Sequence, residues 1–217
     1  MAATVALLAS AANAFELGAA DADIYAATGK EALAEELSGY LAKVFGKSFP
    51  VKTMPAEVSQ DLTGIFVGAK PPDCDVTWDE TRDCCVRIVE PTRVWLFGND
   101  KGKLLHGTAD SVYEFLERFA GVRWLWPGEV GTVADPSEPV SLKDEKFVYV
   151  PPFKRRLSNS FIGGRGRSAR ENADHFAWRC HRHVGSSLEA RGSGFQHAFK
   201  SLMPPAKYGK EHPEVTG

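Results

Sequence analysis

The chain has 217 residues, 43% of them hydrophobic and 25% charged, with a formal net charge of −2. This is the composition of an ordinary folded protein, which excludes wholesale disorder, and the length suffices for one well-buried domain and part of another. The charge is unevenly spread: residues 1–153 hold 14 Lys or Arg against 23 acids, whereas residues 154–191 hold nine against three, so the two parts should differ in structural role.

Met1 to Ala14, MAATVALLASAANA, joins a short apolar run to small residues, and Ala12-Asn13-Ala14 fits an A-x-A cleavage site. It lacks a basic start, so two readings stand: the remnant of a secretory leader within residues 1–19, or an alanine-rich N-terminal helix. The first makes the protein secreted or periplasmic. No run of about 18 apolar residues occurs, so no membrane span is expected.

Ile24 and Tyr25 open a first strand. Between Lys30 and Phe45, Leu33, Leu37, Leu41 and Val44 recur at helical spacing, with Gly46 as the stop. Phe49 to Lys52 is short and extended, and Leu62 to Gly68 reads as a buried strand between glycines. Ala69 to Asp83, with Pro71-Pro72 and five acids, reads as a surface excursion. Cys85 to Val89 and Arg93 to Phe97, joined by Glu90-Pro91-Thr92, form a hairpin whose second strand, Val94-Trp95-Leu96-Phe97, is apolar on both faces. A helix follows with Val112, Phe115, Leu116 and Phe119 on one side, Thr108 as its N-cap and Gly121 as its left-handed stop. Val122 to Leu125 returns as a strand ended by Pro127-Gly128.

Residues 131–150 read as a connector with one or two short extended pieces, and Pro151-Pro152 mark a boundary. Beyond it, FKRRLSNSF alternates like a strand, and residues 163–195 are glycine-rich loop with a helical turn around Ala173 to Cys180. The pattern for residues 20–150 predicts an α+β domain: a mixed sheet with two helices packed on one face. Four cysteines, at 74, 84, 85 and 180, allow one short-loop disulfide, Cys74 with Cys84 or Cys85. Free buried thiols are the alternative.

The string GTADSVYEFLERFAGVRWLWPG at 107–128, with AEELSGYLAKVFG at 34–46 and HAFKSLMPPAKYGKEHPE at 197–214, resembles the accessory domain that precedes the catalytic barrel of alpha-glucuronidases and beta-hexosaminidases. It is most similar to that domain in a large family of secreted bacterial proteins related to those enzymes. The resemblance implies that residues 151–217 begin a (β/α)8 barrel as an incomplete first unit, largely loop. A full barrel needs about 250 residues, and 67 lie in that segment. It also implies a carbohydrate partner, and a glycoside-hydrolase-like whole protein acting on polysaccharides.

The residues themselves offer no catalytic pair, and the catalytic carboxylates are expected to be missing from this sequence. A glycosidase needs two carboxylates about 5–9.5 Å apart, and Glu114 and Glu117, three apart on one helix beside Arg118, read as a solvated face. The hexosaminidase pattern sets a sugar-binding arginine three residues after Phe153, which is Arg156; a surface arginine in a basic strand is the alternative, and Arg155 points the other way. Trp178 can stack on a sugar ring or sit in the core. His197, opening the family-like segment, can contact substrate or hydrogen-bond the loop backbone. His175, Cys180, His181 and His183 lack the separations of a zinc site, so no metal and no cofactor are expected. The string GGRGRSAR at 163–170 has one aromatic nearby, too few for nucleic acid. The rival to an enzyme's accessory part is a non-catalytic module that binds glycan or polyanion through the basic 154–183 segment.

Overall fold

The computed structural model describes residues 14–101, 105–153, 156, 169–183 and 207. In chain order the elements are β1 (Phe15–Leu17), β2 (Ile24–Ala26), α1 (Glu31–Phe45), β3 (Val51–Thr53), β4 (Gly64–Val67), β5 (Cys85–Val89), β6 (Arg93–Gly98), α2 (Gly107–Phe119), β7 (Arg123–Trp124), a 3-10 turn at Glu129–Gly131, β8 (Thr132–Val133), β9 (Val140–Leu142), β10 (Glu145–Tyr149) and α3 (Ala169–His181). The fold is α+β, with three helices and a mixed six-stranded sheet in the order β10-β5-β6-β4-β2-β3. Strands β3, β2, β4 and β6 run parallel. Strand β5 is antiparallel to both β6 and β10.

Period-two alternation divides the apolar residues of this sheet between two layers. Ile24, Ala26, Ile65, Val67, Val94 and Leu96 face Leu37, Leu41 and Val44 of α1 and Val112, Phe115 and Leu116 of α2. Tyr25, Phe66, Trp95 and Phe97 point the other way. There Phe66 stacks on Trp95 with ring centres 4.2 Å apart and on Tyr25 at 5.1 Å. The cover on that side comes from the 69–83 segment: Val76 is buried in this second cluster, and Trp78 packs on it. A stretch that reads as a surface excursion therefore helps to close the second face, together with Met54, Val58 and Leu62.

Helix α2 starts on a backbone-to-backbone contact that admits only glycine. A Cβ on Gly98 would lie 2.2 Å from the Cys84 carbonyl oxygen, and one on Gly107 2.1 Å from it. Thr108 is inside the helix and not its cap. Its N–H and hydroxyl both donate to the Asp100 carboxylate, at 3.0 and 2.6 Å, so an acid from the preceding loop does the capping. Gly121, at φ +66°, ends the helix as the spacing predicts.

Three other expectations need correction. The 131–150 stretch, expected to hold one or two short extended pieces within the domain, carries three strands: β8, β9, which pairs with β1 in a register that sets Phe15 opposite Leu142, and β10, which extends the main sheet. The expected 122–125 strand shortens to two residues, which pair with β8. The helical turn near 173–180 becomes a 13-residue helix. The barrel strand expected at 153–161 lies outside the described residues except for Phe153 and Arg156. Among the described residues no helix is long and apolar enough to cross a membrane. All four cysteines are free, and burial pushes the thiols of Cys84, Cys85 and Cys180 up.

Candidate functional site

Helix α3 lies against α2 and the β7–β8 strand pair, and two features meet along it. The first is an aromatic cleft of about 520 Å³, with Tyr40 and Lys43 of α1 on one side, the 124–132 segment as the floor, and Arg170, Asp174 and Trp178 of α3 on the other. Trp124, the last residue of β7, is buried and ties the walls together. Its indole N–H donates to the Tyr40 hydroxyl at 3.0 Å, and its carbonyl accepts the Trp178 indole N–H at 3.0 Å. The Trp124 ring stacks on His181 with centres 4.4 Å apart and meets Tyr40 and Tyr113 edge-on. His181 in turn is 2.7 Å from the Glu36 carboxylate through Nε2. Trp126, two residues on, is 67% exposed at the rim.

The second feature is an ionic cluster where the end of α3 meets α2, β5 and β10. Arg87, wholly buried on β5, pairs with Glu114 and Glu145 and lies between the rings of Phe119 and Phe147, 4.8 and 4.7 Å from their centres. His183 Nδ1 is 3.2 Å from Asp110 and its Nε2 is 3.8 Å from Glu117, and its backbone is left-handed at φ +53°. Burial works against the charged imidazolium, but hydrogen bonds to Asp110 and Glu117 and their negative charges outweigh it, so the His183 pKa rises to about 9. The bond to His183 holds the Glu117 carboxyl below its usual range. Burial raises Glu114 against the pull of Arg87.

Arg156 completes this cluster. Its guanidinium meets the buried Asp83 carboxylate at 2.5 Å, its Nε donates to the His183 carbonyl at 2.8 Å, and a third donor reaches the Phe153 carbonyl. Burial raises the Asp83 pKa although Arg156 opposes it. Three donors of the candidate sugar-binding arginine are thus turned onto the protein. Of the other candidates, Trp178 lines the cleft, while His197, like Arg155, lies outside the described residues. Glu114 and Glu117 do not form a solvated face: β10 and residues 181–183 cover that side of α2, and both acids are engaged with cations. Among the described residues no cluster of His, Cys, Asp or Glu is arranged to hold a metal ion.

Sequence reasoning missed Tyr40, Trp126 and Asp174 as members of one site. Tyr40 reads as the flank of a core-facing helix, and nothing in the spacing of Asp174 ties it to residue 128, where a Cβ would lie 3.3 Å from its carboxylate oxygen. The usable signal was Trp126 itself, a large aromatic directly before a Pro-Gly turn.

No family model matches the chain, and no curated protein matches it in sequence. Among solved structures it is similar to a family GH115 4-O-methyl-alpha-glucuronidase with specificity for decorated arabinogalactans, at a TM-score of 0.53 and 19% identity, over 78% of this chain and 25% of that one. The chain thus spans about a quarter of that protein's length. At this identity the likeness is one of fold, to part of a glycoside hydrolase.

Proposed function

We propose that this chain is the N-terminal, non-catalytic part of a carbohydrate-active, glycoside-hydrolase-like protein that acts on polysaccharides in a secreted or periplasmic setting. The observation that carries the reading is the fold likeness to a quarter of an alpha-glucuronidase, over 78% of this chain, one of the enzyme classes that the sequence motifs resemble. The acids described on α2 stabilise folded structure through ion pairs with Arg87, His183 and Arg182, which suits an accessory role and leaves them unsuited to proton transfer. Arg156 in this reading fastens the entry to the following segment, through Asp83.

The rival is polyanion binding through the basic 154–183 segment. Against it, two of that segment's eight basic residues, Arg156 and Arg182, face Asp83 and Glu117 within the fold. Calorimetric titration of the chain with neutral oligosaccharides and with heparin, at low and high salt, separates the two. The accessory reading expects neutral-glycan binding that is insensitive to salt. Heparin binding that collapses with salt, with no neutral-glycan binding, would overturn it.

A further inference from the structure

We infer that the cleft between α1, α3 and the β7–β8 connection binds a neutral pyranose unit of a polysaccharide, with Trp126 as its stacking platform. This rests on the carbohydrate-active reading and names the place and chemical class of the ligand. Trp126 is the observation that needs an explanation. Trp124 is 1% exposed and Trp178 is hydrogen-bonded into the structure, yet Trp126, only two residues from Trp124, leaves 67% of its surface in water. A large indole so placed gives the fold little stability, and its natural use is contact with a partner that has one apolar face. Leu125 and Val130 are exposed as well, but they do not line the cleft.

The chemistry of the hollow selects the partner. Its volume, about 520 Å³, falls in the roughly 300–1,000 Å³ range of small-molecule sites. The rim carries Lys43 and Arg170 against Glu129 and Asp174, two cations against two anions, so a charged ligand gains no net attraction. A neutral pyranose suits this: its C–H face lies on an indole, while its hydroxyls donate to carboxylates and accept from the cations. The walls are already set by the hydrogen bonds from Trp178 to Trp124 and from Trp124 to Tyr40, so little ordering cost falls on binding.

The test uses the whole chain, titrated with neutral galacto-, xylo- and gluco-oligosaccharides while tryptophan emission is recorded. The wild type should bind at least one of them with a blue shift that is independent of salt. Trp126→Ala should weaken that binding by about 10- to 100-fold and abolish the shift, at an unchanged melting temperature. Val130→Ala, exposed but outside the cleft, should bind as wild type. Undiminished glycan binding by Trp126→Ala would overturn this site and leave the accessory function standing. Failure of the wild type to bind any neutral glycan would overturn both. Tighter binding of a uronate-bearing oligosaccharide at low salt would overturn the neutral class. A self-association abolished by Trp126→Ala, without glycan binding, would mean that the rim meets a second copy.

Discussion

Raising the pH should release α3 from the domain, because His183 is the group that clamps its end. Asp110, Glu114 and Glu117 face the imidazole from α2, Cys85 of β5 and Tyr149 of β10 line the same hollow, Arg182 is its chain neighbour, and Arg156 holds its backbone carbonyl. The folded pKa of about 9 stands above the ordinary 6.5, so the charged form is favoured by docking. A raised imidazole pKa contributes its full stability below about 6.5, and the contribution drains away as pH rises through about 9. Linkage converts the difference to about 3 kcal/mol at most, a large share of what holds a single helix. The acid side has the opposite sign: the depressed Glu117 carboxyl supports docking above its unfolded pKa, and that support fades as pH falls through its folded value. Burial raises the thiols of Cys85 and Cys180 above their ordinary value of about 9, so any ionisation of theirs on undocking acts above about pH 9, and the fall between about pH 6.5 and about pH 9 belongs to His183. Amide hydrogen exchange across residues 169–183, followed from about pH 6 to about pH 10 after correction for intrinsic rates, should show the logarithm of protection falling between about pH 6.5 and about pH 9 and levelling off above that. His183→Gln should be less protected at neutral pH and flat across the range. The same fall over that interval in His183→Gln, or protection that grows with pH, would refute the clamp. Because α3 forms one wall of the aromatic cleft, glycan affinity should fall over the same pH interval.

Two stability predictions test the placement of α2. Phe115 is fully buried between the helix and the sheet, so Phe115→Ala should cost about 3–5 kcal/mol by lost burial and a residual cavity, read from urea midpoints; a cost under about 1 kcal/mol would mean that the helix face is wrongly assigned. Asp100→Ala should cost about 1–2 kcal/mol by removing the acceptor for the Thr108 N–H and hydroxyl and the partner of Lys30. If Thr108→Gly were as damaging as in a capping residue while Asp100→Ala were silent, the cap would be the threonine.

The parts legible in sequence were those in which neighbours along the chain share an environment. Val94 to Phe97 reads as a strand buried on both faces because four consecutive apolar residues have no polar face to expose, and Leu37, Leu41 and Val44 announce α1 by spacing alone. Gly121 could be placed because a left-handed residue is required where a helix stops. What escaped depends on contacts between distant segments. Asp100 reads as a loop acid until the fold sets it over the first turn of α2. Glu145 to Tyr149 looks like a connector because Phe147, Val148 and Tyr149 follow one another with no alternation to mark a buried face. Arg156 had the opposite problem: a motif register assigns its neighbourhood, but its partners, Asp83 and the carbonyl of His183, lie 73 and 27 residues away. An arginine's role follows from which acid reaches it first. Here a buried carboxylate does, so a sugar would have to displace a charge-assisted bond worth about 1.5–3 kcal/mol before gaining one of similar strength. The exposed ring of Trp126 faces no such competition, and for that reason recognition is better sought in the aromatic cleft than at the arginine.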